Sequence, residues 1–165
     1  GGAEMCIRDR RYTWLSHLGL GGVYLIVPPA VSFAIGGNMP FGFVLIGLGS
    51  MLWVTGFDVL YAITDARIDR EQGLYSIPAK FGTPAAIWVS RIFHLLTPIM
   101  LLLAGIGLGS GVLYFAGVAA VAGLLVYEQS LISSGDLSKL DTAFFTMNGV
   151  IAVTFCLLVA LGEVI

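Results

Sequence analysis

The sequence predicts an all-α fold, a polytopic bundle of about five membrane-crossing helices, and three observations predict it. First, the 165 residues are 58% hydrophobic and only 11% charged, less than half the ~25% charge of an ordinary soluble domain. Second, residues 12–57, 92–127 and 142–162 contain no Asp, Glu, Lys or Arg. A helix needs roughly 20 mostly apolar residues to cross the hydrocarbon core, so these stretches hold two, two and one crossings. Third, seven of the eight basic residues fall before the first crossing or in alternate connections, with Arg91 alone inside a crossing, as in a chain that threads a bilayer. Eight Lys and Arg against ten Asp and Glu leave a net charge of -2. That excludes a basic surface for a phosphate backbone, so no nucleic-acid partner is expected. Cys6 and Cys156 lie too far apart in the chain to suggest a disulfide framework or a metal motif.

The elements follow in order. The first helix is expected over 14–35 and the second over 41–64, divided by Gly36-Gly37-Asn38-Met39-Pro40. The third is expected over 84–104 and the fourth over 112–130, divided by the glycine-rich run Gly105 to Gly111. The fifth spans 142–161. Pro28, Pro29 and Pro98 fall inside helices, which a membrane bundle tolerates. Several separate apolar stretches do not make a signal peptide, which has one short apolar core. Arg8, Arg10 and Arg11 precede the first helix. Arg67, Arg70 and Lys80 follow the second, and Lys139 follows the fourth. Alternating crossings place all of them on one side, which the positive-inside rule makes cytoplasmic. The expected location is the bacterial inner membrane, with the 65–80 loop in the cytoplasm.

Charge concentrates between the second and third helices, where Asp65, Arg67, Asp69, Arg70 and Glu71 stand close together. Asp58, Tyr61, Asp65 and Asp69 are spaced i, i+3, i+7 and i+11, and on a 3.6-residue period they share one helix face. Carboxylates on one face repel unless a cation neutralises them. Oxygen ligands favour a hard ion such as Mg²⁺, which commonly joins one or two carboxylates to substrate phosphates. Arg67, Arg70 and Lys80 could then meet the remaining phosphate oxygens. The plainer alternative is a solvated loop whose ion pairs contribute little. Asp58 weighs against it, because it carries the face into the apolar end of the second helix, where a carboxylate is costly.

The string Asp58-x-x-Tyr61-Ala-x-x-Asp65-x-x-x-Asp69-x-x-x-Gly73-x-x-Ser76-x-Pro78-x-x-x-Gly82 resembles the second aspartate-rich motif of the UbiA-type membrane prenyltransferases, above all bacterial enzymes of the 4-hydroxybenzoate polyprenyltransferase type. Arg10-Arg11-Tyr12-Thr13-Trp14, Tyr127-Glu128-x-Ser130-Leu131 and Ala143-Phe-Phe-Thr146-Met147-Asn148-Gly149 resemble other segments of that family. The resemblance covers about residue 11 to the C-terminus, and residues 1–10 read as a tail outside it. Arg10 stands at the family's Lys position and Ile7 at its Tyr position. The helices resemble the last five of about nine, without the first aspartate-rich motif, so the chain by itself is expected to be an inactive part of a larger bundle. The resemblance implies transfer of a polyprenyl group from an allylic diphosphate to an aromatic acid acceptor in quinone biosynthesis, within the lipid bilayer. It implies Mg²⁺ on Asp65 and Asp69, a catalytic role for Asp58, and substrate contacts from Tyr61, Arg67, Arg70, Ser76, Lys80 and Arg11. A naphthoate-type menaquinone precursor is the alternative acceptor. A transporter or non-catalytic membrane protein is the alternative class, which would be expected to show internal repeats.

Other polar residues inside the apolar stretches have plainer readings. Arg91 is expected to reach toward the cytoplasmic interface, with diphosphate or acceptor contact by Arg91 and His94 as the alternative. Thr146 and Asn148 are expected to bond between helices. His17 has no acidic neighbour in sequence and is expected to be packed or interfacial, and Glu128 is expected at the interface. The Gly105–Gly111 run is expected to be a turn rather than a phosphate loop.

Overall fold

The structure, a computed structural model, describes residues 13, 15–133, 137, 140 and 142–164. Arg8, Arg10, Arg11 and Lys139, which carried part of the charge argument, lie outside these residues. Six helices follow one another: α1 (Ser16–Gly36), α2 (Phe41–Glu71), the short α3 (Ile77–Phe81), α4 (Thr83–Leu108), α5 (Val112–Ser130) and α6 (Asn148–Val164). A π-helical turn, Thr142–Met147, leads into α6. Five segments are long and apolar enough to cross a membrane. Their outer faces carry Ile26, Phe33, Leu95, Ile106, Val153 and Leu157 exposed, which suits lipid rather than water. The chain is an integral membrane helical bundle.

Glycines in left-handed conformation set the ends. Gly37 closes α1 at φ 67, with its N–H on the Phe33 carbonyl. Pro28 and Pro29 sit inside α1, and Pro98 inside α4, without ending either helix. Pro84 starts α4 in its first turn, where the missing N–H costs nothing.

Two sequence expectations move. The second helix does not stop near Thr64. It continues to Glu71, so the 65–80 loop is helical over 65–71 and again in α3. Ala62, Ala66 and the charged residues around them favour helix. The end comes only at Gly73, φ 68. There Leu74 N–H reaches the Asp69 carbonyl (2.7 Å) and Gly73 N–H the Arg70 carbonyl (3.3 Å), the paired closure typical of a glycine-ended helix. At 31 residues, α2 is about 46 Å long. That exceeds the ~30 Å hydrocarbon core, so its polar end projects beyond it. The glycine-rich divider also shrinks. α4 runs through Gly105 and Gly107 to Leu108, and only Gly109 (φ 66) breaks it. Gly105 stays helical because the missing Cβ leaves room for the Tyr114 ring, whose hydroxyl donates to the Leu101 carbonyl (2.9 Å).

α2 is the central helix, packed against α1 on one side and α4 on the other. Missing side chains permit both approaches. A Cβ on Gly47 would strike the Leu25 carbonyl oxygen, and one on Gly21 would strike Thr55 and the Met51 carbonyl. Toward α4, a Cβ on Gly56 would overlap the His94 ring. One apolar cluster (Val59, Leu60, Ile63, Ile77, Ala86, Ile87, Ile132, Leu140) packs the back of α2. A second (Leu101, Tyr114, Val118, Val121, Leu125, Ile151) joins α4, α5 and α6.

Candidate functional site

The continuation of α2 keeps Asp58, Tyr61, Asp65 and Asp69 on one helical face. Asp65 is half-buried and lies one turn from Asp69, which is 2% exposed. Asp69 occupies the last turn of α2, where the negative end of the helix dipole opposes a carboxylate. Tyr61 is half-buried, its ring edge-to-face with Phe145 at 6.1 Å. Asp58 is tied across the helix pair: His17 Nδ1 of α1 donates to Asp58 Oδ2 at 2.5 Å, with the His17 side chain 1% and the Asp58 side chain 20% exposed.

The basic and hydroxyl candidates separate. Arg67, Arg70 and Lys80 are exposed around the end of α2 and on α3. Arg70 Nε donates back to the Ala66 carbonyl (3.0 Å), and Lys80 Nζ lies 5.1 Å from the Phe81 ring centre. Ser76 is fully buried and caps α3, accepting the Ala79 N–H (3.3 Å). Arg11 lies outside the described residues. Among the described residues no three His, Cys, Asp or Glu side chains gather as a ligand group. Asp65 and Asp69, one turn apart on α2, offer two carboxylates and no nitrogen or sulfur donor. That set fits Mg²⁺, which keeps its remaining positions for water and substrate phosphates, better than a metal that needs a full protein cage.

A second polar group, which the sequence did not reveal as a unit, lies between α2, α4 and α5. Gln129 Nε2 donates to Ser90 Oγ and to His94 Nδ1, each at 2.9 Å. With Nδ1 accepting, His94 Nε2–H donates to the Trp53 carbonyl (3.3 Å). Trp53 Nε1–H in turn donates to Asn148 Oδ1 (2.9 Å), the interhelical role expected of Asn148. Glu128 is not interfacial: it is fully buried, with one oxygen 3.7 Å from His94 Nδ1. The sequence placed it two residues from the end of a helix, where an interfacial position is the plain expectation. Glu128 is adjacent in space to His94 through helix packing, which the sequence separation of 34 conceals. Arg91 is half-buried, its guanidinium over the Trp88 ring (5.6 Å) and donating to the Ile132 carbonyl (3.4 Å). Arg91, His94 and Gln129 line a cavity of about 300 Å³ whose other walls are apolar.

His17 was the clearest residue missed. It is packed, as expected, but it has an acidic partner. The signal was present only as two unpaired intramembrane polar residues, His17 and Asp58, on consecutive helices.

Comparison with known proteins adds three findings. The model of the UbiA prenyltransferase family matches residues 7–150. A 4-hydroxybenzoate octaprenyltransferase of Methylococcus capsulatus is 36% identical over 138 residues, which are 82% of this chain and 46% of the relative. The protein of the same name from Sodalis glossinidius is 30% identical over 139 residues, 84% of this chain and 48% of the relative. The chain thus spans about half the length of the curated relatives it matches. Among solved structures, the apo structure of a UbiA homologue from Aeropyrum pernix K1 superposes with a TM-score of 0.76 over 93% of this chain and 57% of that one, at 24% identity. It supports the fold.

Proposed function

The chain belongs to the UbiA prenyltransferase family, and on that premise we propose that its α2 face serves transfer of a polyprenyl group from an allylic diphosphate to an aromatic acceptor of 4-hydroxybenzoate type, in quinone biosynthesis. The observation that carries this reading is the pair Asp65 and Asp69, one turn apart at the polar end of a membrane helix, with Asp69 buried in the last turn. The names of the relatives point to the same acceptor.

In this mechanism Asp65 and Asp69 would hold Mg²⁺ where the donor's diphosphate binds. When bound, the ion supplies Lewis-acid stabilisation of the charge that develops on the leaving group. Arg67, Arg70 and Lys80 surround the same helix end and neutralise phosphate oxygens that the carboxylates do not serve. Tyr61, one turn below Asp65 and edge-to-face with Phe145, contributes to binding the donor. Ser76 acts through the backbone: by capping α3 it fixes the segment that presents Lys80. The prenyl tail lies among apolar side chains open to lipid, where it needs no water. The basic residues around α2 and α3 support a cytoplasmic side for this end, at the inner membrane of a bacterium.

The test uses the full-length gene product in membranes, a polyprenyl diphosphate and labelled 4-hydroxybenzoate. Product that appears with millimolar Mg²⁺ and disappears with chelator is expected. Product only with a naphthoate-type acceptor would move the acceptor assignment. Diphosphate-independent passage of a solute across vesicles, without prenylation, would replace the enzyme reading by transport.

A further inference from the structure

We propose that His17 is a positioning residue that holds Asp58 as the acceptor of the proton lost from the aromatic ring, an inference that rests on the prenyl-transfer reading above. The first support is the pair itself. His17 Nδ1 and Asp58 Oδ2 are 2.5 Å apart, in direct hydrogen-bond contact. The second is the asymmetry of its exposure. His17 is sealed at 1%, whereas the Asp58 side chain keeps 20% open. The imidazole is enclosed, whereas the carboxylate keeps an open edge. His17 Nε2 has no hydrogen-bond partner among the described residues, so the ring's polar contact is spent on Asp58 alone.

The third support is how firmly the contact is built. Gly21 and Gly47 lack the Cβ atoms that would drive α1 away from α2, and Thr55 Oγ1 of α2 donates to the His17 carbonyl (3.5 Å). A histidine brought this close and buried is fixed in orientation, and it fixes one carboxylate oxygen in turn. The other oxygen remains for chemistry.

The fourth support is position along α2. Asp58 lies on the face of Asp65 and Asp69 but seven residues deeper than Asp65, about 10 Å along the axis. Alkylation joins a ring carbon to C1 of the donor on the side away from the diphosphate. The carbon–carbon bond forms as the C1–O bond breaks, and that bonding pair leaves with the diphosphate. The alkylated ring then carries one hydrogen too many. Its C–H pair returns to the ring, restoring aromaticity, and the proton passes to Asp58, which later yields it to water. A base for this step belongs deeper than the metal carboxylates, by about the length of a diphosphate ester and part of a ring. Asp58 is the carboxylate at that depth on this face.

The experiment compares wild type, His17→Leu and His17→Asn in the full-length gene product, with acceptor carrying hydrogen or deuterium at the reacting carbon. Asn offers an N–H close to where His places Nδ1–H, and Leu offers none. Wild type is expected to show an isotope effect near unity. His17→Leu is expected to lower kcat at least tenfold with little change in KM for the donor, and to expose an isotope effect of 2 or more. His17→Asn should recover most of the rate and suppress the isotope effect. Equal rates and isotope effects for Leu and wild type would overturn the inference while leaving the prenyl-transfer reading intact. So would a rate loss in Leu without an isotope effect, since a merely structural histidine would give that result. Absence of any transfer by wild type would overturn both.

Discussion

Two polar regions of this bundle contain carboxylates among apolar helices, and they differ in what surrounds the acid. On α2, Asp58 has a histidine partner and 20% of its side chain open, and the same face continues to Asp65 and Asp69 at a projecting helix end. Between α4 and α5, Glu128 is completely enclosed, and both its oxygens lack a hydrogen-bond partner among the described residues. A buried acid alone does not distinguish a site from a packing network. Access does, together with a partner that fixes the group's orientation. The α2 face has both, which supports reading it as the site. The α4–α5 group has neither at its carboxylate, and its bonds link helices to one another.

Breaking the α2 region at the metal carboxylates should have the largest effect. Asp65→Asn or Asp69→Asn keeps the volume and removes a charge. Loss of the Mg²⁺ clamp should cost several kcal/mol of transition-state stabilisation, about 10²-fold or more in rate. The measurement is prenyl transfer by the full-length gene product over a range of Mg²⁺ concentrations. Near wild-type turnover by either variant would remove the clamp from the mechanism.

The contrast also explains what the sequence made legible. Five crossings were plain because uninterrupted uncharged stretches must satisfy their backbones internally. The α2 face was plain because its members follow a single helical period, a local relation. The extension of α2 to Glu71 was hidden by the habit of treating charge as loop. In fact the stop signal was Gly73 rather than Asp65. The partners His17–Asp58 and His94–Glu128 were illegible because each joins separate helices. Their meeting depends on which glycines let backbones approach, and a glycine in sequence does not announce its neighbour. Gly107 and Gly47 look alike in the chain. Only Gly47 lies against another backbone.

That difference supplies a prediction of intermediate size. Gly47→Ala places a methyl group on the Leu25 carbonyl oxygen, which no side-chain rotation can relieve. Overpacking of this kind costs about 1–3 kcal/mol, and it should loosen the α1–α2 pair that carries His17 to Asp58. Gly107→Ala meets nothing within 4 Å and should be neutral or slightly stabilising. Thermal unfolding of the two variants in one detergent checks both. An equal effect of the two would mean that close approach of α1 and α2 is unimportant.

The smallest expected effect sharpens the other side of the comparison. If Glu128 belongs to a packing network, its negative charge is dispensable and its shape is not. Glu128→Gln preserves the shape. The amide brings a donor into a group where the Gln129 carbonyl oxygen also lacks a partner among the described residues. It also ends the cost of enclosing a carboxylate whose oxygens receive no hydrogen bond, a penalty typically of about 1–3 kcal/mol for a buried polar group. Part of that gain should appear as a rise in melting temperature of about 2–4 °C per kcal/mol for a chain of this size. Prenyl transfer should remain within about threefold of wild type, because nothing places Glu128 on the α2 face. Glu128→Leu provides the opposing measurement, since it removes the orphaned oxygens but leaves the Gln129 oxygen without a donor. It should therefore melt below Glu128→Gln. A loss of transfer by the Gln variant with its melting temperature unchanged would move Glu128 from the packing network into the catalytic machinery, and the distinction between the two regions would fall with it.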